Sequence, residues 1–217
     1  MSSSSESTPT HMASGQSRAL ALDFKWGNFH TLVTEFDTTN PDPQPLYDVS
    51  CGMLAPHLKV KSIQKDQQIG TGTVHAISIS PDYSLHGSKG TLRAKSRLRT
   101  IYTHMSHTFS DTDKPATMTW TSKSGFTTWD FICCDENQIP VAKFTANVWA
   151  LKKVAKIEIM GPKAYDSAAL DEIVTVGMTL YYCMYLRINN PLNLVGSAFM
   201  RTGKEAQIEA PRPQPVQ

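Results

Sequence analysis

Between Ser84 and Ser110 the chain has no Asp or Glu, yet it carries Lys89, Arg93, Lys95, Arg97 and Arg99. The last four recur at every second position. Side chains of an extended strand alternate between faces. A strand over Thr91 to Thr100 therefore puts all four cations on one side and leaves Leu92, Ala94 and Leu98 for the core. Lys59 and Lys61 repeat the pattern earlier, opposite Leu58 and Val60. A one-signed ladder repels itself, and an anionic surface is one partner that relieves it. Near a cytoplasmic leaflet each Lys or Arg contributes about 1 kcal/mol, and salt screens the attraction. A plainer reading stays open beside this one: a solvated strand face whose charges prevent edge-to-edge aggregation. Nucleic acid is a poor match, because only Tyr102 and Phe109 are near enough to stack on bases.

Other candidate groups resolve into ordinary roles. His104 and His107, three apart, face opposite ways on a strand, so they read as surface histidines rather than a metal pair. Cys133 and Cys134 diverge likewise and have no activating neighbour. Asp171 and Glu172 could pair as carboxylates, but no companion His or repeated acidic motif accompanies them, and negative charge in early helical turns explains them. Asp135-Glu136-Asn137 is too short for an EF-hand loop. Gly70-Thr71-Gly72 and the stretch from Gly87 to Gly90 lack the strand-to-helix setting of a phosphate loop. Trp26, Trp120, Trp129 and Trp149 read as strand packing. No catalytic set emerges, and no metal or cofactor is implied.

The elements that must position these residues are short. At 217 residues, with 40% hydrophobic and 18% charged, the chain suits one domain with tails. A formal net charge of +2 excludes a globally basic nucleic-acid binder. Four scattered cysteines exclude a disulfide scaffold and point to a reducing compartment, hence a cytoplasmic location. Residues 1–17, with nine Ser or Thr, and the Pro-rich residues 201–217 read as disordered tails around a domain over 18–200. The leader has no apolar core of a secretory signal; a solubilising role is the plain reading and phosphorylation the other. Between Arg18 and Gly161, ten to twelve short alternating segments are separated by turn residues such as Asn40-Pro41-Asp42-Pro43, Pro81-Asp82 and Asp135 to Gln138. Such spacing indicates an all-β barrel or sandwich.

At Asp166 the pattern changes. Asp166 or Ser167 can cap a helix over about 167–189, and Asn189-Asn190-Pro191 stops it. Its middle, Ile173 to Leu186, is uncharged on every side. These fourteen residues fall short of the roughly 20 that a membrane span needs, so no transmembrane span is expected. A helix apolar all round must be surrounded, and only strands are available to do it.

A closed sheet around such a helix resembles the tubby-like superfamily, which includes the tubby C-terminal domain, phospholipid scramblases and the LURP-one-related proteins. The closest likeness is to uncharacterised, often fungal, members. The likeness rests on Trp129-Asp130-Phe131, the turn from Asp135 to Gln138, Val141-Ala142-Lys143-Phe144, Lys156-Ile157-Glu158-Ile159 and Leu170-Asp171-Glu172-Ile173-Val174, with looser agreement upstream. The resemblance implies a mainly β fold: a closed antiparallel barrel of about twelve strands with the helix in its bore. A filled bore leaves no lipocalin-like cavity, which disfavours a small-molecule carrier. The resemblance also implies a non-enzymatic domain that binds phosphoinositide headgroups, an anionic membrane surface or a protein partner, and the residues offered for it are Arg93, Lys95, Arg97, Arg99, Lys59 and Lys61. The alternative is an enzyme or pathway accessory protein whose site is dispersed in sequence.

Overall fold

The computed structural model describes residues 16–25, 30–36, 43–76, 78–96, 99–122, 128–147 and 154–189. Both tails, apart from Gln16 and Ser17, lie outside these residues. The strands are β1 (Ser17–Lys25), β2 (His30–Glu35), β3 (Pro45–Cys51), β4 (Leu58–Ser62), β5 (Gln67–Thr73), β6 (Asp82–Leu85), β7 (Ser88–Thr91), β8 (Arg93–Ala94), β9 (Ile101–Ser106), β10 (Ala116–Ser122), β11 (Thr128–Cys134), β12 (Pro140–Asn147) and β13 (Val154–Met160). One helix, α1 (Ser167–Asn189), follows them.

The expected alternation is seen directly. In β4, Leu58, Val60 and Ser62 are buried while Lys59 and Lys61 are exposed; in β10, Ala116, Met118 and Trp120 point inward. All pairings are antiparallel, and they form one 13-stranded sheet in the order β7-β6-β5-β4-β3-β2-β1-β13-β12-β11-β10-β9-β8. The first and last strands meet in register from Ser17↔Met160 to Asp23↔Val154, so the meander curls into a nearly closed barrel. Its seam lies where β7 comes alongside β9 without strand pairing.

The strand count exceeds the expected ten to twelve because the run from Thr91 to Thr103 is not one strand. Leu92 is fully buried, and its amide donates to the Pro81 carbonyl at 2.9 Å. The chain then doubles back: the Lys95 amide donates to the Ile101 carbonyl at 2.8 Å, and the Arg99 amide to Ser96 Oγ at 3.1 Å. Backbone groups that a long strand would have paired with a neighbour are satisfied by this turn instead.

Helix α1 spans the expected residues. Asp166 is the cap: its Oδ1 accepts from the amides of Ala168 at 2.7 Å and Ala169 at 3.2 Å. Every residue from Ala169 to Cys183 is buried, as an all-round apolar helix requires. Strands approach it from opposed directions. On one side Gly70 and Gly72 of β5 let the sheet backbone come close to Thr175 and Thr179, since a Cβ on Gly72 would sit 2.4 Å from Thr179 Oγ1. On another, Gly177 faces the rings of Trp120 and Phe144. Tyr181 stacks on Phe144 with centroids 5.2 Å apart and meets Trp129 edge-on at 5.5 Å.

This burial has a consequence at alkaline pH. Burial pushes Tyr83 and Tyr102 up to about 12 and Cys51 and Cys183 up to about 11. The unfolded chain loses these protons at lower pH than the folded one, so stability is full below the ordinary thiol and phenol values and falls as pH rises through the folded ones. Urea midpoints should therefore decline progressively between about pH 9 and pH 12. A flat profile across that window would mean that these groups are not enclosed.

Candidate functional site

Antiparallel strands alternate the ends at which their connections lie, so the barrel has two distinct rims. At the rim where α1 ends, Tyr182 Oη donates to the Gly52 carbonyl at 3.2 Å, and Arg187 Nη1 donates to Tyr102 Oη at 2.8 Å. The β3–β4 connection and the turn from Lys95 to Ile101 thus share this rim. It carries Lys95, Arg99 and Arg187, and the β3–β4 turn projects Met53 and Leu54, 83% and 85% exposed. Among the described residues of its connections there is no Asp or Glu. The opposite rim is acidic: Asp66, Asp111, Asp113, Asp135, Glu136 and Asp166 outnumber Lys65, Lys114 and Lys163. Ile139 and Tyr165 are exposed there too, but among carboxylates.

The predicted ladder is only partly brought together. Arg93 and Lys95 are exposed on the alternating stretch that contains β8, and Arg99 is exposed beyond the turn. Arg97 lies outside the described residues. Arg93, Lys95 and Arg99 are therefore not one flat row, because the strand that would have aligned them ends at Ala94. Lys59 and Lys61 project outward from β4 as expected. Lys61 Nζ pairs with Asp66 Oδ1 at 2.5 Å, and that hydrogen bond holds the amine above its ordinary value, so one of its charges is already answered.

Two expectations about individual residues are corrected. His104 is not a surface histidine; it is 2% exposed. Asp171 and Glu172 do more than complement the start of the helix, because both are buried and each anchors α1 to the barrel wall. Asp171 accepts from Tyr47 Oη at 2.7 Å and pairs with Lys65 Nζ at 3.0 Å and His86 Nε2 at 3.1 Å. Burial, then the Asp171 bond, drives the Tyr47 phenol far above its ordinary value. Glu172 Oε1 lies 3.0 Å from His104 Nε2, and Oε2 accepts from Ser106 Oγ at 2.9 Å. Trp120 Nε1 donates to His104 Nδ1 at 3.2 Å. An indole N–H can only donate, so Nδ1 accepts and the histidine proton sits on Nε2, directed at Glu172. The signal for these anchors was present in the sequence: two adjacent carboxylates at the head of an all-round apolar helix need buried partners. Met53-Leu54 also had a signal, two large apolar residues in a turn between Gly52 and Pro56.

The bore is filled, yet a cleft of about 550 Å³ opens through the wall at the seam between β7 and β9. Among the described residues Glu172 is its only acidic lining residue; Lys89, Arg93, His86 and His107 also line it, with Tyr83. The Tyr83 ring fills the space a side chain at Gly90 would take, and its hydroxyl donates across the seam to the Met105 carbonyl at 3.3 Å. Burial first, then the charge of Glu172, raises its phenol. Among the described residues no group of His, Cys, Asp and Glu is arranged to hold a metal ion, and no helix is long and apolar enough to cross a membrane. The chain matches no known family description, no curated protein and no solved structure.

Proposed function

We propose that this protein is a non-enzymatic, tubby-like domain that docks peripherally on an anionic membrane surface through the rim where α1 ends. The observation that carries the reading is the composition of that rim: exposed Lys95 and Arg99 with Arg187, a projecting Met53-Leu54 turn, and no carboxylate among its described connections. Cations near an anionic leaflet contribute about 1 kcal/mol each. Seating Met53 and Leu54 among acyl chains adds about 1.5–3 kcal/mol per side chain if burial is complete. The two together provide several kcal/mol without a dedicated pocket. The acidic opposite rim is repelled by the same surface, which orients the barrel. Phosphoinositides supply the densest charge such a rim can meet.

The test is co-sedimentation with phosphoinositide-containing vesicles. Replacing Arg93, Lys95, Arg97 and Arg99 together by Ser should abolish binding with the thermal midpoint nearly unchanged, since those of the four that are described are exposed. Met53→Ser with Leu54→Ser should weaken binding by a component that persists at high salt, where the charge attraction is screened. Equal binding by the quadruple variant and the parent would remove the membrane reading.

A further inference from the structure

The two buried carboxylates of α1 are answered differently. Asp171 has a cation, Lys65 Nζ at 3.0 Å. Glu172 is 3% exposed, and its partners among the described residues are neutral donors. The Nε2 proton of His104 serves Oε1, and Nδ1 is taken by Trp120. Ser106 Oγ receives the Phe109 amide at 3.0 Å, which leaves its own proton for Oε2. Both oxygens accept, and among the described residues no Lys or Arg pairs with either of them. A buried charge is costly unless paired. Glu172 forms part of the lining of the seam cleft, which Lys89 and Arg93 line too, with no other carboxylate among its described lining residues.

We infer that the seam cleft binds a small molecule that carries both a primary ammonium, paired with Glu172, and a phosphate, held by Lys89 and Arg93. An ammonium suits the inner position because its three donors can reach the lone pairs that Glu172 has left. A divalent metal does not, since it needs several oxygen ligands and one carboxylate supplies too few. Phosphate suits the mouth because Arg and Lys together offer several charge-assisted donors to its oxygens. Arg93 is also replaced in the vesicle test of the docking rim, but Glu172 and Lys89 are not, so Glu172→Gln separates failure of this inference from failure of that reading.

The probe is O-phosphoethanolamine, titrated calorimetrically into the full chain at low salt, with ethanolamine and inorganic phosphate as single-charge controls. O-phosphoethanolamine should bind at least about tenfold more tightly than either control, because two charge pairs act in one molecule. Glu172→Gln should reduce it to the affinity of inorganic phosphate, and Arg93→Ser to that of ethanolamine. Arg93 is exposed, so its variant keeps the test valid if Glu172→Gln fails to fold. A parallel arm offers phosphatidylethanolamine vesicles to a Lys95→Ser, Arg99→Ser protein, with and without Arg93→Ser. Binding of the free probe identifies a soluble ligand, and Arg93-dependent binding of vesicles alone identifies a lipid headgroup. Equal affinity for all three soluble probes, insensitivity to Arg93→Ser, or binding in neither arm would overturn the inference.

Discussion

His104→Ala should cost about 3–5 kcal/mol of folding stability. Three effects add. The change leaves Glu172 Oε1 without its donor, leaves Trp120 Nε1 without its acceptor, and opens a cavity beside side chains that are almost fully buried. The orphaned charge is the heaviest of the three, because removing one member of a buried polar pair exposes the other to the full cost of desolvation. A double-mutant cycle separates the terms. In a Glu172→Gln background the same substitution should cost roughly 1–2 kcal/mol less, since the group left behind is neutral. Urea unfolding of the four proteins measures this. Additive losses would show that the two side chains are merely near each other.

Gly177→Leu is the second large effect. A Cβ at this position would stand 3.2 Å from Trp120 Cη2 and 3.6 Å from Phe144 Cδ2, and both rings are fully buried. Alanine should therefore be nearly neutral: the tight contact offsets a gain of about 1 kcal/mol in helix propensity over glycine. Leucine adds three more carbons in the same direction, and neither ring has open space to move into. Overpacking of this kind costs typically 1–3 kcal/mol. After the propensity gain is overcome, the midpoint should fall by roughly 2–4 °C per kcal/mol lost in a chain of this size. A leucine variant as stable as the parent would mean that α1 is not sheathed at Gly177.

The rim proposed for docking and the cleft proposed for binding lie on different parts of the barrel, and the fold explains the separation. Alternating connections sort charge to the rims, whereas the seam exists because β8 is only two residues long and leaves much of the β9 edge unpaired. Lengthening the ladder there would have closed the cleft. The turn from Lys95 to Ile101 that cuts β8 short also carries Lys95 and Arg99 to the rim.

The sequence by itself determined which faces of the strands are inward, where the helix begins and ends, and that strands must surround it. These properties are local: alternation of two, a capping Asp166, and a run from Ile173 to Leu186 with no polar stripe are each written within one segment. It also named the basic residues, though as one row. Only the tertiary structure decided that Arg93 lines a cleft while Lys95 and Arg99 reach a rim, because the turn between them follows from backbone pairing with Ile101. Only it decided that His104 is buried and that Glu172 meets it, across 68 positions of sequence. That meeting depends on strand register and on the depth at which α1 sits in the bore, and no periodicity within either segment encodes a distance between the two.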